Sequence, residues 1–333
     1  MGTHFAGTLT ADQMAAVVVV EGDKATGSGF VALVDSRPVI VTNQHVVAGQ
    51  TSLKIANHTG VKFSGKSFAA ARNRDIILIQ LAELPEGIVP LKIAENPNSA
   101  SNVGDSVLVP GNSKGGGVIL VTPGKLVAFG PERIKISNPV YPGNSGGPII
   151  HEKSGEVLGV LTESELIELD KFSQKSFNNK NSQIKSTIRY FGHRADQVES
   201  WDSLDWKKFQ AASAEIKRTR HELQWIFDYL TNSKSDEWKN FQELHRVRNE
   251  ALAILDSDKY SEAAKAEARV KFVRRLDSMS RTPITRAKAQ NLSYVHQCEI
   301  TSLEKLQLTL TDSTEVINRD VKLLNELIRR GGL

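Results

Sequence analysis

Ser145 stands in Gly143-Asn144-Ser145-Gly146-Gly147-Pro148, a stretch too rich in glycine and proline for a regular helix or strand. Glycine lets the backbone turn sharply and approach another group closely. A serine hydroxyl and neighbouring N–H groups can then face one point, as acyl transfer requires of a nucleophile and its oxyanion donors. Two partners lie upstream. His45 follows the β-branched run Val39-Ile40-Val41-Thr42, and Asp75 opens the apolar run Ile76-Ile77-Leu78-Ile79. Histidine takes a serine proton only when an acceptor orients its ring and stabilises the imidazolium, so the three residue types form one chemical unit. Glu83 and Asp105 are competing acids, but neither opens an apolar strand soon after the histidine.

The order histidine, aspartate, serine is that of chymotrypsin-type proteases rather than subtilisins or α/β-hydrolases. Further motifs accompany it: Gly27-Ser28-Gly29-Phe30, Thr42-Asn43-Gln44-His45-Val46-Val47, Asp75-Ile76-Ile77-Leu78, and Gly111-Asn112-Ser113 followed by Gly115-Gly116-Gly117. In order and spacing they resemble the trypsin-like protease domain of the HtrA/Deg family, over about residues 10–192. The resemblance implies His45 as general base, Asp75 as its orienter and Ser145 as nucleophile. It implies an oxyanion hole at Gly143, Asn144 and Ser145, with the N–H groups of Gly143 and Ser145 as donors. It also implies a specificity pocket based at Pro139, with Val140, Tyr141, Val160, Leu161 and Thr162 around it. No acid lies at that base, so an apolar residue of small to medium size is expected before the scissile bond. Asn144 stands where pancreatic enzymes carry an aspartate that pairs with a new N-terminal amine. Activation without N-terminal cleavage is therefore expected.

These parts must be positioned by a scaffold. The 333 residues are enough for two domains. From residue 16 to residue 162, short Val- and Ile-rich runs alternate with turn residues, as in a sandwich or barrel. The resemblance selects an all-β double β-barrel of chymotrypsin type, six strands in each barrel. The joint is expected between Glu83 and Gly104, where Pro85, Pro90 and Pro97 fall. After about residue 195 glycine disappears until Gly331, and apolar residues take helical spacing: Trp206, Phe209, Ile216 and Leu223, then Trp238, Phe241 and Leu244, then Val316, Ile317, Val321, Leu324, Leu327 and Ile328. Ser257 or Asp258 is expected to cap a third helix, and Pro283 to separate it from a fourth. Residues 1–195 thus read as the protease domain and residues 196–333 as an all-α accessory bundle. PDZ domains, usual in HtrA proteases, are mixed β/α modules, and this helical tail resembles none.

Composition narrows the partners. Forty-two basic residues face 38 acidic ones, a net charge of +4, so no nucleic-acid surface is demanded. The lone cysteine, Cys298, forbids an intrachain disulfide and leaves the redox compartment open. Met14–Val20 is too short an apolar run to cross a bilayer and lacks the basic flank of a signal peptide. Without a leader the expected place is the cytoplasm; with one removed, it is extracytoplasmic. His58 and His151 show no metal-ligand spacing, and Lys114 precedes its glycines rather than following them as in a Walker loop. No metal or organic cofactor is expected. The expected partners are a protein or peptide substrate, with self-association or a partner protein through residues 200–330, and neither nucleic acid nor membrane. The expected function is a serine endopeptidase. The rivals are a pseudoprotease or latent scaffold acting through its helices, and an esterase using the same residues.

Overall fold

The computed structural model describes residues 8–168, 186–231, 242–289, 296–297, 299–305 and 307. The helical spacing expected around Trp238 and from Val316 to Ile328, and Cys298, lie outside the described residues. A one-turn helix, α1 (Ala11–Ala15), feeds the chain into the first sheet. It is nucleated by a capping box in which Thr10 Oγ1 accepts from Gln13 N–H and the Gln13 side chain accepts from Thr10 N–H.

Seven strands follow: β1 (Val17–Gly22), β2 (Thr26–Val34), β3 (Arg37–Thr42), β4 (Leu53–Asn57), β5 (Lys62–Phe63), β6 (Gly65–Ala71) and β7 (Ile77–Leu81). A second set comprises β8 (Ser106–Gly111), β9 (Leu120–Phe129), β10 (Arg133–Ile136), β11 (Pro148–His151), β12 (Val157–Glu168) and β13 (Ser186–Arg194). A last strand, β14 (Trp201–Leu204), returns to pair antiparallel with β6. The second set closes into a six-stranded barrel in the order β10-β13-β12-β11-β8-β9. The first sheet runs β14-β6-β7-β3-β2-β1-β4-β5. It is a half-barrel of eight strands, not the closed six-stranded barrel expected. Its ends are the two-residue β5 and the added β14, which leave no long edges to join. With this difference the fold is the chymotrypsin-like double barrel.

Each sheet surrounds its own core. Val18, Phe30, Ile40, Ile77 and Ile79 fill the first, and Val107, Leu126, Ile134, Ile149 and Leu158 fill the second. The proline-bearing joint crosses between them. Leu91 bridges to Ala32 of β2, and Ile93 bridges to Val157 of β12. Strand β9 runs unbroken through Pro123 and Gly124, which stay in register with Leu108 and Val107.

The chain divides into two compact units, the first running to Gln210 and the second from Ala211. The first unit continues beyond residue 195 because β14 extends its sheet, and Trp206 stacks on Phe68 with ring centroids 4.2 Å apart. Beyond the one-turn α3 (Pro97–Ala100) of the joint, the described helices here are α4 (Trp206–Thr231), α5 (Gln242–Leu255) and α6 (Glu262–Lys288), and α5 packs on α6. In the second unit Glu215 pairs with Arg286, and Ser213 Oγ lies 2.8 Å from His296 Nε2. The cap of α6 is Ser261, whose side chain accepts from Ala264 N–H; Ser257 instead closes a turn to Lys259 N–H. Pro283 does not end the helix, which runs through it to Lys288. Ile284 and Ala287 are buried beside it, and their packing outweighs the one backbone hydrogen bond that proline deletes. Among the described residues no helix is long and apolar enough to cross a membrane, and no cluster of three or more His, Cys, Asp or Glu has metal-binding geometry.

Candidate active site

The chain turns at the end of β3 into a single helical turn, α2 (Gln44–Val47), that presents His45. Each of the three residues before His45 holds a main-chain carbonyl. Thr42 Oγ1 donates to the Ser28 carbonyl at 2.7 Å. Asn43 Nδ2 donates to the Asp75 carbonyl at 2.6 Å. Gln44 Nε2 donates to the carbonyls of Ala71 and Arg74, both at 3.0 Å. The residues before His45 therefore hold the backbone that carries Asp75, so histidine and aspartate are located by one network.

The Asp75 side chain accepts on both oxygens. Oδ1 receives the His45 backbone N–H at 3.1 Å, and Oδ2 lies 2.5 Å from His45 Nδ1. Thr162 Oγ1 donates to the same Oδ2 at 3.2 Å. Burial opposes the charge on this carboxyl, yet the neighbouring His45 outweighs burial and holds it below the usual aspartate range. An ionised acceptor thus fixes the proton of His45 on Nδ1 and leaves Nε2 as the basic nitrogen.

Ser145 sits half-buried on the other barrel, in the turn before β11. Its hydroxyl donates to the Thr162 carbonyl at 3.2 Å. Thr162 therefore touches Asp75 through its side chain and Ser145 through its main chain. The flanking glycines are steric necessities. Gly143 has φ +98°, and a Cβ there would lie 2.1 Å from the Asn112 carbonyl oxygen. Gly146 has φ +87°, and its Cβ would meet Ser28 O and Thr42 Oγ1, each at 2.2 Å.

The peptide planes around Ser145 are fastened one by one. Lys114 N–H donates to the Pro142 carbonyl at 2.7 Å, which turns the Gly143 N–H to the opposite side of that plane. Ser28 Oγ donates to the Gly143 carbonyl at 2.7 Å, and Ser28 N–H donates to the Ser145 carbonyl at 2.8 Å. Asn144 is fully buried, and its Oδ1 accepts from Ser113 Oγ at 2.7 Å. Among the described residues, no backbone carbonyl accepts from the N–H of Gly143 or of Ser145. The turn thus keeps two donors beside the serine hydroxyl.

The residues expected around the pocket are distributed unevenly. Pro139 and Tyr141 are exposed, and Val140 packs on the second core. Lys114 Nζ stands 5.2 Å from the centre of the Tyr141 ring. The side chains of Val160 and Leu161 are buried in the first and second cores respectively, and Thr162 is half-buried. The competing acid Asp105 pairs with His151 Nε2 at 3.3 Å. Residues that sequence reasoning passed over are Asn43, Gln44 and Ser28, whose bonds hold main-chain groups, and Ser113, which holds Asn144. The hydroxyl of Thr162 belongs with them. So does Arg74, buried directly before Asp75. A run of polar residues at buried positions beside the histidine, Thr42-Asn43-Gln44, was the one available signal.

Residues 27–160 match the family model described as a trypsin-like peptidase domain. The mitochondrial Do-like protease 3 of Arabidopsis thaliana is 35% identical over 154 residues, which cover 42% of this chain and 26% of that protein. The periplasmic serine endoprotease DegP of Escherichia coli K12 is 33% identical over 147 residues, covering 41% of this chain and 30% of DegP. Among solved structures, the active form of the Rv3671c protease from M. tuberculosis is 25% identical, covers 56% of this chain and 78% of that one, and has a TM-score of 0.42. The chain thus spans between a quarter and a third of the two curated relatives it matches. Its double barrel is a trypsin-like peptidase domain. Within that class it is similar to the Do-like and DegP proteases.

Proposed function

We propose that this chain is a serine endopeptidase whose nucleophile is Ser145, with His45 as general base and Asp75 as its orienter. The observation that carries this reading is the 2.5 Å contact between His45 Nδ1 and Asp75 Oδ2, joined through Thr162 to the Ser145 hydroxyl. In the reaction, the Ser145 hydroxyl turns from the Thr162 carbonyl to His45 Nε2. His45 takes its proton as Oγ attacks the substrate carbonyl carbon. Negative charge gathers on the carbonyl oxygen, where the N–H groups of Gly143 and Ser145 receive it. His45 then protonates the leaving amine, an acyl-enzyme remains, and water activated by the same nitrogen releases it. Every step is carried by side chains and backbone, without a cofactor. The helices of the second unit, which begins at Ala211, serve as an accessory module for self-association or a partner protein.

The test is labelling with a fluorophosphonate probe, run beside casein digestion. The expected result is a probe adduct on Ser145 and casein cleavage, both lost in Ser145→Ala. Lack of labelling in folded wild-type protein would instead favour a latent or scaffolding role.

A further inference from the structure

We propose that Arg74 is a positioning residue for Asp75, and that the segment leaving the second barrel, residues 194–197, is the anchor against which it holds the acid. The inference rests on the peptidase reading above.

Arg74 is 2% exposed and among the largest fully buried side chains of the described residues. A guanidinium is costly to remove from water unless its donors are satisfied. Here Nη1 donates to the carbonyls of Arg194 at 2.7 Å and Asp196 at 2.8 Å, and Nη2 donates to that of Gln197 at 2.9 Å. Three carbonyls converge on one planar fork, an arrangement lysine cannot match. Gln197 adopts a φ of +52°, unusual for a residue with a side chain, as the chain curls around the fork. The receiving segment is itself stiffened. Arg194 and Asp196 form a buried bidentate pair at 2.9 and 2.7 Å, and Arg194 reaches on to Asn98 Oδ1 at 3.2 Å.

The main chain completes the argument. The Arg74 carbonyl accepts from Gln44 Nε2, and the Asp75 carbonyl accepts from Asn43 Nδ2. Both peptide planes leading out of Arg74 and Asp75 are thus tied to the turn that bears His45. The Arg74 side chain ties the same two-residue stretch to residues 194–197. Downstream, Arg72 N–H donates to Ser200 O, and the Arg72 guanidinium grips Asp202 with both of its contacts at or below 3.1 Å. The aspartate is therefore clamped between the histidine turn on one side and the chain beyond the second barrel on the other. A hydrophobic side chain at position 74 would fill the space without making that link.

The groups facing Asp75 are His45 on α2 and His193 on β13, while Arg74 and Arg133 face His193. Loss of the anchor lets the carboxylate drift from His45 Nδ1. Misplacement of a catalytic group by about 1 Å costs on the order of 100-fold in rate.

The experiment compares wild type, Arg74→Met, Arg74→Lys and Asp196→Asn, each quantified as folded protein by circular dichroism. For Arg74→Met, kcat on a peptide ester is expected to fall on the order of 10- to 100-fold with KM within about twofold. The acid limb of its kcat/KM profile is expected to move to lower pH, because the imidazolium loses its carboxylate. Arg74→Lys recovers part of the loss, and Asp196→Asn, which loosens the anchor alone, moves in the direction of Arg74→Met and serves if that variant does not fold. A second readout is the far-downfield proton resonance of the His45 Nδ1–Asp75 hydrogen bond by NMR, expected in wild type and broadened or lost in Arg74→Met and Asp196→Asn. Folded variants with wild-type kcat, pH profile and resonance overturn the proposal. A wild type that shows the resonance but neither cleaves nor labels overturns the peptidase reading, and the effect of the variants on the resonance still decides the role of Arg74.

Discussion

Thr162 donates its hydroxyl to the same Asp75 oxygen that faces His45 Nδ1, while its carbonyl receives the Ser145 hydroxyl. One residue of β12 therefore touches both Asp75 and Ser145 from the barrel opposite His45. The hydroxyl shares the Asp75 charge and fixes the carboxylate plane. Removing a hydrogen bond to a charged group costs about 1.5–3 kcal/mol, which corresponds to roughly 10- to 100-fold in rate. Thr162→Val, which keeps the shape of the side chain, is expected to lose that much in kcat. Thr162→Ser is expected to stay near wild type. Steady-state kinetics on a chromogenic peptide decides it: equal kcat in Thr162→Val and wild type rejects the role.

The turn that carries Ser145 is held from within the fold. Asn144 is buried and bonded to Ser113, so no charged amine is required beside it. An N-terminal tag or a blocked amine is expected to leave peptidase activity unchanged. Ser113→Ala leaves the buried Asn144 amide oxygen without this donor, at a cost of about 1–2 kcal/mol. The expected result is a fall of roughly 5- to 30-fold in kcat/KM with the N-terminus still irrelevant. Activity that depends on a free, trimmed N-terminus contradicts the prediction.

How these features were legible differs from residue to residue. His45, Asp75 and Ser145 stand out in the sequence because acyl transfer restricts both types and order, and the structure sets His45 against Asp75 and links Asp75 through Thr162 to Ser145. Gly143 and Gly146 were legible for the same reason, and their close approaches to Asn112, Ser28 and Thr42 explain why no other residue fits. Thr162 was read as a pocket wall; its link to Asp75 depends on a bulge in β12 between Leu161 and Glu163, which no local pattern announces. Strand β6, Gly65-Lys66-Ser67-Phe68-Ala69-Ala70-Ala71, lacks alternation and β-branched residues, and only its pairing with β7 and β14 makes it a strand. A four-residue segment such as β14 carries no mark of which sheet it will join. Nothing in the local sequence marks Arg74 for burial, because the three carbonyls that receive it lie far along the chain.

Cleavage preference follows from what surrounds the turn before Ser145. Pro139, Val140 and Tyr141 offer no carboxylate, and the Lys114 ammonium stands over Tyr141. A basic side chain entering there is expected to meet the like charge of Lys114, with no carboxylate on residues 139–141. Substrates with Ala, Val, Ile or Leu before the scissile bond are therefore expected to dominate a peptide-library profile. Glu163 and Glu165 follow Thr162 along the sequence of β12. A profile led by Lys or Arg would falsify the apolar preference and turn attention to those two glutamates.

Two buried histidines are expected to make the fold sensitive to acid. Burial lowers His193 to about 4, against the attraction of Asp75, and burial alone lowers His296 to about 4, both from the ordinary 6.5. A histidine whose folded value is depressed stays neutral in the fold while the unfolded chain takes up a proton. Its contribution is complete above pH 6.5, is lost as pH falls from 6.5 to about 4, and levels off below. Each shift corresponds to about 3 kcal/mol over that window. Asp75 and Glu215 act lower: held below their ordinary values, they lose their contribution only as pH drops past the carboxylate range. Urea denaturation at pH 7, 5.5 and 4 is expected to show stability falling steeply across the window. His193→Gln with His296→Gln is expected to flatten that slope, at some loss of stability at pH 7. An unchanged slope in the double variant would assign the acid sensitivity to other groups.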